Sequence, residues 1–201
     1  MLKNQNNADV IERLISNFEK FGALSLPEKE AIIESSQVKK VEKGALLLKE
    51  GQFRENSYFI LKGCVRQYSV VEGIERSTRF FVEDEWVISG NEVSESTGAM
   101  FNWICMEDCI LVIGNEEKAQ ALFRNFPRLE TISRKIVETA FSEIQKGLIS
   151  YYSKTPEQRY LTLLQNHPSI LQRVPQYHIA SYVGVKPESL SRIRKRIATP
   201  P

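Results

Sequence analysis

The sequence is short of the residues from which many sites are built. Only two histidines occur among 201 residues, His167 and His178, and both lie in the last quarter. A metal enzyme on a β scaffold draws on two or three imidazoles and a carboxylate. Residues 36–114 supply no imidazole, which argues against that class. Cysteine is nearly as scarce: Cys64, Cys105 and Cys109 are an odd set in apolar surroundings. They suit reduced, buried thiols better than a disulfide framework. With no histidine in the same region they offer no activated nucleophile. No run of 18 apolar residues occurs, so no membrane-spanning helix is expected. The polar start, Met1-Leu2-Lys3-Asn4-Gln5-Asn6-Asn7, lacks the apolar core of a secretory signal. These absences predict a cytoplasmic protein with no membrane partner, no catalytic residues and no metal.

What is present is unevenly spread. The net charge of +2 hides a division: residues 151–201 hold eight basic and two acidic side chains, a net +6, while the first 150 hold 19 and 23, a net −4. A basic C-terminal module on a mildly acidic body points to a polyanionic partner. A solvated basic tail would show the same charge.

The pattern along the chain changes twice. Residues 8–21 read as an amphipathic helix, with Val10, Ile11, Leu14, Ile15, Phe18 and Phe21 at three- and four-residue spacing. A short helix is expected after Pro27. From 36 to 114, short apolar or alternating runs are cut by glycines. The runs are Ala45–Leu48, Tyr58–Leu61, Val65–Val71, Ser77–Val82, Phe101–Met106 and Ile110–Ile113. Strands at this spacing indicate an antiparallel sandwich or barrel, with a hairpin turn at Val70-Val71-Glu72-Gly73. Helices follow at 116–125 and, from Pro127, to about Ser153. The second would be ~40 Å long at 1.5 Å per residue. Its stripe of Leu129, Ile132, Ile136, Ala140, Ile144 and Leu148 is expected to be the interface of a homodimer. Burial against the chain's own core is the other reading of that stripe. Thr155-Pro156-Glu157-Gln158 carries a capping box for a further helix.

The most specific segment is Gln176–Ile197. Two helices meeting at a sharp angle need a small residue at the crossing, Ala180, and a residue that accepts positive φ at the turn, Gly184. Ile179, Val183, Val185, Leu190 and Ile193 occupy the positions that bury between the helices. Pro187 opens the second helix. This is the pattern of a DNA-binding helix-turn-helix, whose second helix enters the major groove of double-stranded DNA. On that helix Arg192 can make a bidentate contact to guanine, Glu188 can accept from cytosine, and Ser191 can reach a base edge or a phosphate. Arg194, Lys195 and Arg196 are expected to hold phosphates, and Lys186 is expected to be a further DNA contact.

With these parts in order, the chain resembles the cyclic-AMP receptor/FNR family of bacterial transcription regulators over nearly its whole length. Glu188, Ser191 and Arg192 match the base-reading residues of FNR-like members, and Tyr58–Arg66 looks like the family's strand–glycine–strand signature. The resemblance implies an α+β fold. An antiparallel β-roll or jelly roll flanked by helices, like a cyclic-nucleotide-binding domain, would span 1–126. A dimerisation helix would span 127–153, and a helix-turn-helix domain 154–201. It implies a homodimer on a palindromic operator, with its two recognition helices ~34 Å apart, and admits RNA polymerase as a further partner. The chain departs from the family in its phosphate cassette. Members that bind cyclic AMP carry Gly-Glu, then Arg-Ser or Arg-Thr, then Ala. Here Val87–Asn102 has no basic residue, and none occurs between Arg79 and Lys118. Without that cation a buried phosphate is unpaired, so no cyclic nucleotide or other cofactor is expected in the family manner. Glu92, Met100 and Phe101 mark the place where another small-molecule effector would sit. Three cysteines are too few for the family's four-cysteine iron–sulfur members. The seven residues from Pro168 to Val174 leave little room for a β-hairpin wing. A ligand-sensing or protein-interaction module of the same fold, without specific DNA binding, is the alternative function.

Overall fold

The computed structural model describes residues 2–53, 56–88 and 98–198, with side chains from residue 11 onward. The architecture is α+β. Among the described residues, two helices, α1 (Leu2–Glu19) and α2 (Leu26–Ser35), precede eight strands: β1 (Gln37–Val41), β2 (Leu46–Leu48), β3 (Asn56–Lys62), β4 (Val65–Val71), β5 (Ile74–Phe81), β6 (Trp86–Val87), β7 (Asn102–Cys105) and β8 (Cys109–Asn115). Six helices follow: α3 (Glu116–Asn125), α4 (Pro127–Ser153), α5 (Pro156–Asn166), α6 (Ile170–Arg173), α7 (Gln176–Val183) and α8 (Pro187–Ala198). The strands form two four-stranded antiparallel sheets, ordered β1-β8-β3-β6 and β2-β7-β4-β5.

Alternation along the strands sorts their side chains into layers. Ile60, Val65, Phe81, Trp103 and Leu111 fill the space between the sheets. Their neighbours Phe59, Leu61 and Val112 face outward and pack on Leu14, Phe18, Ile32, Leu129, Ile132 and Ile136 of α1, α2 and α4. Phe80, on the outer face of the other sheet, joins Cys64 and Met106 under the C-terminal helices. The β4–β5 hairpin turns through Glu72 and Gly73 at φ 53° and 76°. Two successive positive φ angles are those of a two-residue I′ turn, which matches strand twist.

Two strands and one helix are absent from the sequence expectation. The strands β1 and β6 are the edges of their sheet. In β1 two lysines interrupt the apolar pattern, and exposed edges favour such charges. The helix α6 is one turn long, and the link between α5 and α7 contains it and no strand pair. The capping box on α5 is formed: the Gln158 N–H donates to Thr155 Oγ1, and the Thr155 N–H donates to Gln158 Oε1.

The apolar stripe of α4 divides. Leu129, Ile132 and Ile136 are buried by the chain itself, against α1 and β3. They are therefore not free for a second copy, a correction to the dimer face expected along the whole stripe. Phe141, Ile144, Leu148 and Ile149 of the C-terminal half are exposed, as is Val137 just after the buried residues, and Ala140 is half-buried. The covering elements, α3 and α1 among them, bury the stripe only as far as Ile136 of this 27-residue helix.

Candidate nucleic-acid interface

The helix pair α7–α8 is built around one turn. Ile179, Ala180 and Val183 of α7 and Leu190 and Ile193 of α8 are buried, joined by Tyr160 and Leu163 of α5 and Ile170 of α6. Val185 and Ile197 pack at the rim of this cluster. Gly184 ends α7 at φ 83°, ψ 34°. Its N–H donates to Ser181 O at 3.2 Å, and the Val185 N–H donates to Ala180 O at 2.9 Å. That paired closure needs a left-handed residue just past the helix, and glycine adopts it without steric cost. The Lys186 carbonyl accepts from Ser189 and Leu190, so the first turn of α8 starts directly from the turn residues.

On α8 the apolar and polar faces are cleanly opposed. Leu190 and Ile193 point into the cluster, while Glu188, Ser191, Arg192 and Lys195 are exposed. Their spacing of three and four residues puts them on one face. Lys186 and Pro187 extend that exposed surface at the helix start. The Arg192 guanidinium donates to Ser189 Oγ at 3.3 Å, a light restraint. Arg194 is half-buried and lines, with Lys195, Ser191 and Tyr160, an open cleft of about 560 Å³ between α8 and α5. Arg196 is ion-paired with Glu157 of α5, so a phosphate would have to compete with that carboxylate.

The helix pair is seated on the β-roll through α7. The Ser181 hydroxyl accepts from the Ser77 N–H at 3.0 Å and donates to Glu75 O at 3.2 Å, extending the edge of β5. Tyr182 and Phe80 rings lie 5.4 Å apart. Arg66 of β4 is fully buried and donates to Ser77 Oγ and, at 2.5 Å, to His178 Nδ1, with Glu75 as its ion-pair partner. A nitrogen that accepts from a guanidinium must carry a lone pair. Burial first, and the Arg66 charge second, push His178 down to about 4 and keep it neutral. Arg173 of α6 is held by two carboxylates of the roll, Glu83 at 2.8 Å and Glu107 at 2.9 Å. Burial alone would raise Glu83, but the bonds from Arg173 and the Gly63 N–H hold it below the usual carboxylate range. The sequence marks neither Arg66 nor Arg173 as a contact, because each has a partner on a distant element: His178 lies 112 residues from Arg66 and Glu83 lies 90 from Arg173.

Of the residues expected at an effector site, Glu92 lies outside the described residues, as does Glu95 of the cassette segment. Met100 is 71% exposed. Phe101 packs on Trp103 with ring centroids 5.5 Å apart, and Tyr58 packs on the same indole at 6.3 Å. Trp103 is fully buried and donates its Nε1–H to Gln67 Oε1 at 2.9 Å, so aromatic rings occupy the inside of the roll there. The three cysteines are buried free thiols, and burial pushes Cys64 up to about 12. Among the described residues, no helix is long and apolar enough to cross a membrane.

No protein-family model and no curated protein matches the chain. Solved structures do match in fold. The c-di-GMP responsive global regulator CLP of Xanthomonas campestris superposes with a TM-score of 0.63 at 18% identity, over 87% of this chain and 92% of that one. FixK2 of Bradyrhizobium japonicum gives 0.64 at 15% identity, over 81% and 84%. A putative regulator of the Crp/Fnr family from Eubacterium rectale gives 0.63 at 15% identity, over 87% and 84%. The chain shares the fold of these proteins over 81–87% of its length.

Proposed function

We propose that the chain is a sequence-specific DNA-binding transcription regulator that works as a homodimer on a palindromic operator. The observation that carries this reading is the face of α8. Glu188, Ser191, Arg192 and Lys195 stand exposed in one stripe, on a helix whose other face is locked by Leu190, Ile193 and the Gly184 turn. In this reading α7 and α8 are a helix-turn-helix and α8 lies in the major groove. Arg192, Glu188 and Ser191 read base edges. Lys195, Lys186 and Arg194 hold phosphates, and Arg196 does so after leaving Glu157. The exposed half of α4 pairs with its copy. The structural neighbours include regulators, which supports the reading at the level of fold. Cyclic AMP is not the effector in the family manner, because residues 80–117 hold no cation for its phosphate and Trp103 with its neighbours occupies the roll interior.

Selection from a random duplex pool at two salt concentrations tests this. Wild-type protein enriches a palindrome, and Arg192→Ala weakens that site by roughly 5- to 150-fold, about 1–3 kcal/mol for one bidentate base contact. Lys195→Ala lowers affinity for all duplexes alike and reduces the salt slope by about 1. Salt-sensitive binding with no enriched sequence and no effect of Arg192→Ala sinks the reading, and leaves a ligand-sensing or protein-interaction module.

A further inference from the structure

The joint between α4 and the C-terminal helices is short. α4 ends at Ser153 and α5 starts at Pro156, so only Lys154 and Thr155 lie outside helix. Both are extended, at ψ 146° and 160°. Four soft dihedral angles would by themselves allow α5, and everything after it, to swing relative to α4.

One side chain spans this joint. Arg159, on the second turn of α5, donates through Nη1 to Tyr151 O at 2.6 Å and Lys154 O at 3.1 Å, both at the end of α4. Through Nε it donates to Val183 O at 2.9 Å, the last carbonyl of α7. Its guanidinium also lies over the Tyr151 ring, 4.6 Å from the centroid. A Cβ on Gly184 would sit 3.3 Å from Arg159 Nη2 and 3.4 Å from the Tyr151 hydroxyl. The same guanidinium therefore meets the end of α4, the end of α7 and the turn into α8. The last carbonyls of a helix have no partner within it and carry its negative pole. A planar cation with five fixed donors can serve two such ends at once, whereas an ammonium is a single point charge.

We infer that Arg159 is a positioning residue that locks the direction of α8 to the direction of α4. If α8 reads DNA and α4 pairs the subunits, as proposed above, Arg159 sets the angle and separation at which two recognition helices are presented. It touches no base itself and acts on half-site spacing rather than on half-site sequence.

The test has a spectroscopic arm and a DNA arm. Spin labels are placed at Glu130→Cys on α4 and Ala198→Cys on α8, both exposed positions; the native cysteines are buried and do not compete for label. Doubly labelled chains are diluted in unlabelled protein, and the distance distribution is read by double electron–electron resonance. The Arg159 side chain intact gives one narrow peak. R159Q and R159K broaden it at least twofold, lysine because it cannot serve all three carbonyls. Should R159Q fail to fold, Tyr151→Leu removes the ring beneath the guanidinium and gives a smaller broadening. In the DNA arm, operators with half-sites moved apart by one or two base pairs are compared with the selected spacing. R159Q reduces the wild-type spacing penalty at least threefold while its half-site sequence preference is unchanged. A distance distribution as narrow in R159Q as in wild type overturns the clamp. A broadened distribution with an unaltered spacing penalty overturns its role in recognition. A wild-type protein that selects no operator defeats the proposed function, and the distance distribution then decides the clamp alone.

Discussion

The two halves of α4 carry one continuous apolar stripe but live in different surroundings. Leu129, Ile132 and Ile136 are 0%, 2% and 5% exposed, covered by α1 and β3. Phe141, Leu148 and Ile149 are 56%, 57% and 66% exposed. Apolar periodicity states that a face must be covered, and is silent on what covers it. The first half is held by its own chain. The second half offers a contiguous apolar surface of the kind that marks an interaction site, and the proposed homodimer uses it.

Charge on the exposed half separates the two most strongly. Phe141→Asp with Leu148→Asp places two carboxylates at the proposed pairing face. The variant is expected to sediment as a monomer at concentrations where wild type is a dimer, with its far-ultraviolet spectrum retained. A dimer that survives both changes breaks the assignment of this half. Truncation in the buried half acts on the fold instead. Leu129→Ala leaves a cavity between α4 and the roll and should cost about 2–5 kcal/mol of stability. Thermal unfolding of that variant should show the loss at every protein concentration, whereas a change at a dimer face shifts with concentration.

A smaller effect distinguishes the seat of α7 from both halves of α4. His178 is held neutral with its folded-state value near 4, below the ordinary histidine range. Between about pH 6.5 and 4 the unfolded chain binds a proton there that the folded chain does not. The stability this residue contributes is complete above about pH 6.5 and is lost as pH falls toward 4. Arg66, which faces the imidazole, opposes the incoming proton, and Glu75 favours it. His178→Gln keeps an acceptor for Arg66 and removes the titration. The fall in melting temperature from pH 7 to 4.5 should be shallower in that variant. Equal slopes would show that carboxylates, not His178, govern the acid response.

Local signals in the sequence reached as far as local causes reach. Gly184 has the positive φ its place between two apolar runs demands, and Thr155 and Gln158 form their capping box because the partners are three residues apart. The runs from Tyr58 to Leu61 and from Val65 to Val71 are strands, because their composition and bounding glycines leave few alternatives. The same reasoning missed β1 and β6, where edge position removes the alternating burial that periodicity detects.

Chain order and side-chain type thus determined the elements with strong periodicity, the cap of α5, the turn at Gly184 and the opposed faces of α8. Which surfaces meet was decided only in three dimensions. Arg66 reaches His178 across 112 residues, Arg173 reaches Glu83 across 90, and Arg159 reaches Val183 across 24. An arginine reads the same in sequence whether it ends in water, on a carboxylate or on the carbonyls of two helices. Its long side chain leaves no periodic trace, and its partner is chosen by how the layers pack. That packing also divided the stripe of α4 into a half the chain covers and a half it leaves open.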